Sequence, residues 1–320
     1  MKNKLFYCLI FLFGLIDFCK SQPVPSPQEN IPFLVTFSKE ADKAWGDDDF
    51  VQIFFVSIPK ERTESFYIRV FDPEVGGKYD ESKTGFNSRT KFSVYGGKFC
   101  YSDKGAIKTE PTGNYKSGIL LKTKTFGSDL DTDDKWYTFG PFNPAEGELI
   151  PELGGLIFKI IIEGMEGNDG NLYKLFVSSQ STDNLKVEGA NSFTYEYTFR
   201  THDKIGSVSH IYPFITSDVI SVKINSFDFD DDGKIRIVSA SKKGEMVKTS
   251  YDNNWTVSEH KIDKEEINTS IDVQFIKTVS KINNNVVVYI TNQYGTAIPF
   301  FTAPIGGIPS YKYKMMIRKK

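Results

Sequence analysis

Apolar residues along this chain fall into short runs, each closed by glycine, proline, asparagine or aspartate. Residues 51–58 (VQIFFVSI), 66–71 (FYIRVF), 91–95, 118–126, 156–163, 172–178 and 192–200 are β-branched or aromatic stretches of strand length. In the last of these, Phe193, Tyr195, Tyr197 and Phe199 alternate with Thr194, Glu196, Thr198 and Arg200, a period of two that puts four rings on one face. A second series follows at 217–227, 235–241, 245–250, 272–277 and 286–292. Helical periodicity is nearly absent. Single turns are expected at 38–44, behind a serine cap, and at 263–267, behind Asp263. The stretch IIIEGMEGNDGNLYKLFVS predicts a hairpin with GNDGN at its tip, because glycine and asparagine supply the positive φ a tight turn needs. The whole pattern predicts an all-β chain: two antiparallel β-sandwich domains in tandem, 32–204 and 205–320, with 201–213 as the connector.

The first 21 residues follow a different rule. Lys2 and Lys4 precede an apolar run at 5–16 (LFYCLIFLFGLI), and Cys19-Lys20-Ser21 offers small residues where a signal peptidase needs them. Such a run is too short for a ~30 Å hydrocarbon core, which takes roughly twenty residues. The expectation is a signal peptide cleaved after Ser21 and a mature protein outside the cytoplasm, in the periplasm, at the cell surface or in the medium. A lipid-bearing Cys19 is disfavoured, because Ile16-Asp17-Phe18 lacks the small residue such sites require. Residues 22–31 (QPVPSPQENI) read as an extended linker. The sequons at Asn254 and Asn268 are incidental if the Lys-, Asn- and Ile-rich composition is bacterial.

Charge and cysteine content narrow the classes. The chain has 39 basic and 41 acidic residues; without residues 1–21 these become 36 and 40, a net charge of −4. Nucleic acid is therefore not an expected partner. The basic end (Lys314, Arg318, Lys319, Lys320) reads as solvated. No second apolar run reaches spanning length. Only Cys100 follows the signal, so no intramolecular disulfide is possible, and Cys100 reads as a buried strand thiol.

The candidate chemistry lies in acidic turns. Asp228, Asp230 and Asp232, with Gly233 and Ile235, match the front of a calcium loop, where alternate acids converge oxygens on a hard cation. The back half departs from that pattern, since Ser239 stands where a bidentate acid belongs and both flanks read as strands. Three further loops carry Asp72, Glu74 and Asp80; Asp129, Asp131 and Asp133; and Asp169. Brought to one end of a sandwich, these would supply the oxygens Ca²⁺ prefers and offset the missing disulfides. The competing reading for every one of these loops is a solvated turn, since Asp, Asn and Gly are what turns use.

Most of the 27 Phe, 16 Tyr and 3 Trp belong to the core. Trp136, Tyr137 and Trp255 stand beside acidic or Asn-rich loops and are the candidate rings of a carbohydrate-binding face. WYTFGPFNP otherwise reads as a strand edge with a proline turn. There is no HExxH, GxSxG, Walker A or strand-borne GxGxxG, and the three histidines (His202, His210, His260) lie in loop-like contexts without metal-ligand spacing.

FYIRVFDPEVGGKYDE, WYTFGPFNPAEGELIPELGG and IIIEGMEGNDGNLYKLFVS together resemble an uncharacterised β-sandwich region of secreted Bacteroidota proteins, sometimes joined to OmpA-like domains. The layout is loosely similar to pre-peptidase C-terminal domains, which are calcium-assisted sandwiches. The resemblance covers roughly residues 50–200 and implies an envelope or surface accessory role with no catalytic residues to carry over. The expected function is therefore a non-enzymatic binding or structural protein whose partner is a protein or polysaccharide of the envelope. A carbohydrate-binding module is the alternative, followed by a hydrolase with a carboxylate pair facing across a cleft.

Overall fold

A computed structural model describes residues 23–107, 114–229, 233–280 and 284–313. Residues 1–22, which include the expected signal and its cleavage site at Ser21, the acids Asp230 and Asp232, and the basic end from Lys314 lie outside the described residues. The architecture is all-β and every strand pair is antiparallel, with strands numbered along the chain. The largest sheet has nine strands, in the order β18 (Trp255–Lys261), β15 (Ser221–Phe227), β21 (Asn285–Asn292), β12 (Glu196–Arg200), β2 (Phe33–Phe37), β10 (Gly170–Ser178), β4 (Phe66–Phe71) and β7 (Trp136–Phe142). Its ninth member, β1 (Pro23–Val24), also pairs with β10. A seven-stranded sheet runs β22 (Phe300–Phe301), β11 (Asn191–Thr194), β3 (Val51–Ile58), β9 (Gly155–Glu166), β5 (Arg89–Gly96) and β6 (Ile119–Phe126), with β8 (Glu148–Ile150) paired to β9. A four-stranded sheet contains β13 (Val208–Ile211), β20 (Asp272–Lys277), β16 (Gly233–Val238) and β17 (Lys243–Val247), and β14 (Phe214–Ile215) pairs with β19 (Thr269–Ser270).

The nine-stranded sheet is the layer onto which both smaller sheets pack. Against the seven-stranded sheet, Tyr173 meets Phe92, Tyr197 meets Phe54 and Phe66 meets Phe158, with ring centroids 4.8–5.7 Å apart. Against the four-stranded sheet, Phe199 meets Phe275 edge-on at 5.5 Å. Tyr197 and Phe199 lie two residues apart on one face of β12, so a single strand serves both cores. β12 also pairs with β2 on one side and β21 on the other. Sheet and core therefore run through the boundary expected near residue 205, and the segment read there as a connector contains β13.

The turn read as a hairpin is a crossing between sheets. β9 already has β3 and β5 on its two edges, so β10 cannot pair with it and joins the other sheet. The tip is correspondingly buried: Asp169 Oδ2 accepts the backbone N–H groups of Asn87 and Ser88 at 2.7 and 3.0 Å. β15 is likewise flanked by β18 and β21, and β16 lies in the four-stranded sheet. The ring row at 193–199 is divided in the same way. The strand breaks at Tyr195, leaving Phe193 and Tyr195 in one cluster and Tyr197 and Phe199 in the main core. The turn expected after Ser38 is a short 3₁₀ segment capped by Asp42, whose Oδ1 accepts Ala44 N–H at 3.1 Å. Asp263 caps its turn as expected.

Residues 23–31 are no linker. Val24 is buried, Ser26 Oγ donates to Thr302 O, Asn30 Nδ2 to Val208 O, and the amide of His210 to Glu29 O. The prolines that suggest an extended chain are compatible with this path, because it makes few backbone ladder bonds and is held by side chains. Glu29 is fully buried beside Tyr197, and burial pushes its carboxyl from 4.5 up to about 8. A folded-state pKa above the unfolded value means that the folded chain holds an extra proton. The stabilising contribution is therefore complete below about pH 4.5 and falls by roughly 1.4 kcal/mol per pH unit up to about pH 8. Glu29→Gln is expected to unfold at higher urea than the parent at pH 8 and at similar urea near pH 4.5; parallel pH profiles for the two proteins would contradict this assignment.

Candidate metal centre and ligand cleft

Two acidic loops meet at the end of β4. The chain leaves β4 at Asp72 with φ +57°, and Asp134, just before β7, has φ +54°. Backbone bonds zip the loops together: Asp72 N–H to Lys135 O at 2.9 Å, and Val75 N–H to Gly127 O at 2.9 Å. Asp72 Oδ1 accepts Asp134 N–H at 2.7 Å. This register brings Asp72, Glu74 and Asp133 together, each offering a carboxylate oxygen within 4.8 Å of the others. Asp72 and Glu74 are fully buried and Asp133 is half-buried.

The cluster is short of hydrogen-bond donors. Asp72 Oδ2, both Glu74 oxygens and Asp133 Oδ1 are buried without a hydrogen-bond partner. Neighbouring ammonium groups are engaged elsewhere, Lys78 Nζ with Tyr79 Oη and Lys135 Nζ with Asp131 O. Burial, reinforced by the adjacent carboxylates, pushes Asp72 up to about 6 and Glu74 up to about 7. A buried carboxylate without a partner is costly, and a cation removes that cost. An all-oxygen donor set suits Ca²⁺, Mg²⁺ or Mn²⁺. With Ca–O bonds of about 2.3–2.6 Å, oxygens on opposite sides of the ion lie roughly 5 Å apart. That matches the span of this cluster. Gly77 closes one side: at φ +69°, a Cβ there would lie 2.1 Å from Asp133 Oδ1.

Of the other acids proposed as ligands, Asp80 spends both oxygens on Gly76 N–H and Leu172 N–H and so braces the loop. Asp129 caps the short turn at Leu130–Thr132, Asp131 is exposed, and neither joins the cluster. Asp169 and Asp228 serve other turns, the latter accepting Asn253 N–H at 2.8 Å.

The three candidate rings do not share a platform. Trp136 lies on the outer face of β7, whereas Tyr137 points inward against Phe126 and Phe139. Trp255 is on β18, at the opposite edge of the same sheet, where it leans on Phe227 and Tyr289 and donates its indole N–H to Asp48. Trp136 borders an open cleft of about 510 Å³, with Lys174, Phe176, Asn184 and His202 and the N-terminal prolines. Sequence reasoning missed these partners; the outward phase of Lys174 and Phe176 in β10 was the available signal.

Acids and histidines are also paired elsewhere. Asp49 and Glu196 share a hydrogen bond, and burial with mutual repulsion holds both well above the usual carboxylate range. Carboxyls in direct contact are closer than the ~5 Å or more that glycoside hydrolysis uses. His210 and His260 lie on strands, where loops were expected. His260 bridges Ser258 Oγ at 2.9 Å and Glu245 at 2.6 Å, the order of a nucleophile–base–acid relay. Ser258 and His260 are only 6 % and 5 % exposed, and Ser258 Oγ also takes Lys248 N–H, so this chain of bonds is a seam between β18 and β17. Cys100 is a buried, free thiol. No helix among the described residues is long and apolar enough to cross a membrane.

Comparison with family models, with curated proteins and with solved structures finds no match to this chain. Its function must therefore be argued from its own residues. Gly77→Ala should cost on the order of 1–3 kcal/mol, the sum of a left-handed backbone and displacement of Asp133. Gly85→Ala, at φ +99° with nothing within 4 Å, isolates the backbone share and should cost less. Equal losses in urea unfolding would show that Asp133 is not seated against Gly77.

Proposed function

We propose that this chain is an extracytoplasmic, non-catalytic binding or scaffolding protein, stabilised by Ca²⁺ at Asp72, Glu74 and Asp133. The observation that carries this reading is the convergence of three carboxylates from two loops, with four buried oxygens lacking hydrogen-bond partners. Glu74 and Asp72 are fully buried, so a cation there is enclosed by protein and ties loops together; a catalytic metal keeps an open position for substrate. Asp72 and Glu74 follow β4, Asp133 precedes β7, and the two strands are paired, so the ion would clamp one end of a hairpin-like edge. The signal-like residues 1–21 support export, and calcium outside the cytoplasm is abundant enough for sites with dissociation constants of about 10⁻⁴–10⁻³ M. The partner is a protein or polysaccharide of the envelope or surface.

Thermal unfolding of the purified mature protein with EDTA or with added CaCl₂ tests the metal. Free calcium at ~100 times its dissociation constant adds about 2.7 kcal/mol, which is a rise of several degrees in the midpoint. Asp133→Asn is expected to abolish the rise and Asp129→Asn to leave it intact. An unchanged midpoint in the parent would remove the calcium claim. Capture of envelope components on the immobilised protein tests the binding role separately.

A further inference from the structure

The cleft beside Trp136 lies on the outer face of the nine-stranded sheet, and its floor follows from register. Trp136 pairs with Phe71, and Phe71 with Lys174, so these side chains form one outward row across β7, β4 and β10. Phe176, two residues further along β10, shares that face. The opposite wall is the N-terminal segment, with Pro23, Pro25, Pro27 and Ile31. At about 510 Å³ the cleft is the size of a small-ligand site.

Its chemistry is one-sided. The chain as a whole carries more acids than bases, yet no Asp or Glu among the described residues lines this cleft. The polar lining is Lys174, His202, Asn184, Asn30 and Ser26. Lys174 is half-buried, with Nζ 4.4 Å above the Phe33 ring, so an anion in the cleft meets an ammonium held in place on the sheet face. His202 Nε2 is 3.0 Å from Asn30 O, and since a carbonyl only accepts, this nitrogen carries a proton, which makes Nδ1 the acceptor of the neutral ring. Arg69 stacks on the Trp136 ring at 5.3 Å and donates to Asn184 Oδ1, fixing the indole and the amide together.

We propose that this cleft binds a saccharide carrying a carboxylate, with a sugar C–H face on Trp136, the carboxylate on Lys174, and hydroxyls on Asn184 and on His202 Nδ1. One lining ammonium matches one negative charge per sugar, as in a uronic acid, better than a densely sulfated chain. The inference rests on the binding role proposed above and names its ligand class.

The test uses oligogalacturonate as the acidic probe, with neutral gluco-oligosaccharides, heparin and a proline-rich peptide in parallel arms, all titrated into the mature protein by calorimetry and tryptophan fluorescence. Oligogalacturonate is expected to bind and to shift the fluorescence. Trp136→Ala and Lys174→Gln should each weaken it at least tenfold. Lys174→Gln guards against a folding defect, because it leaves the aromatic packing in place, and both variants should keep the parent's calcium-dependent midpoint. No binding of oligogalacturonate, equal binding of the neutral sugar, preference for heparin or peptide, or binding unaffected by both variants would each overturn the proposal. A protein that captures envelope components unaffected by Trp136→Ala would keep its binding role and lose this cleft as the site.

Discussion

The antiparallel pairing of β12 with β2 on one edge and β21 on the other is the constraint on which the rest of the molecule depends. It places strands from both halves of the chain in one sheet. The inward row of β12 then has to satisfy two opposing layers, Tyr197 against the seven-stranded sheet and Phe199 against the four-stranded one. Gln52 reinforces the first of these layers from within the core. Its Nε2 donates to Val35 O and to Tyr173 Oη, and its Oε1 accepts Thr198 N–H. A buried amide satisfied on three strands resists sliding of one sheet over the other, because any shift leaves polar groups unpaired in the core.

That arrangement also accounts for the acidic loops. Where two sheets stack, strands that already have neighbours on both edges must connect through turns that cross between layers, and those turns become buried. Backbone N–H groups in such turns need acceptors, and Asp80 and Asp169 supply them with carboxylate oxygens. Asp72, Glu74 and Asp133 differ because their oxygens converge on one another, and four of them are buried without a hydrogen-bond partner. The same sequence chemistry thus serves two ends, distinguished only by what each carboxylate faces. β4 and β7 place the acidic cluster at the strand end adjoining Trp136, so the loops that would hold the ion also set the first residues of the cleft floor.

Much of the secondary structure was legible. The runs at 51–58, 66–71 and 272–277 coincide with β3, β4 and β20, because β-branched and aromatic residues bounded by turn formers leave little choice of element. The connections were less legible. GNDGN has the composition of a hairpin tip, but composition cannot report that β9 is already paired on both edges. The N-terminal segment reads as a linker for a similar reason: its anchoring depends on Thr302, Val208 and His210, which are remote in the chain. Of the candidate ligands, Asp72, Glu74 and Asp133 come together while Asp129 and Asp131, nearly adjacent to Asp133, face elsewhere. Trp136 borders a cleft and Tyr137 does not, since neighbours on a strand point to opposite faces.

By itself the sequence determined the class of element, the acid-rich character of the turns, the single cysteine after residue 21, and which loops could supply oxygen ligands. These follow from local chemistry: side-chain shape, φ preference and charge. Tertiary structure alone decided which strands share a sheet, which three of the acids meet, and which surface ring lies in a cleft. Those outcomes depend on pairings between residues far apart in the chain, where a strand already flanked on both edges forces its neighbour into another layer.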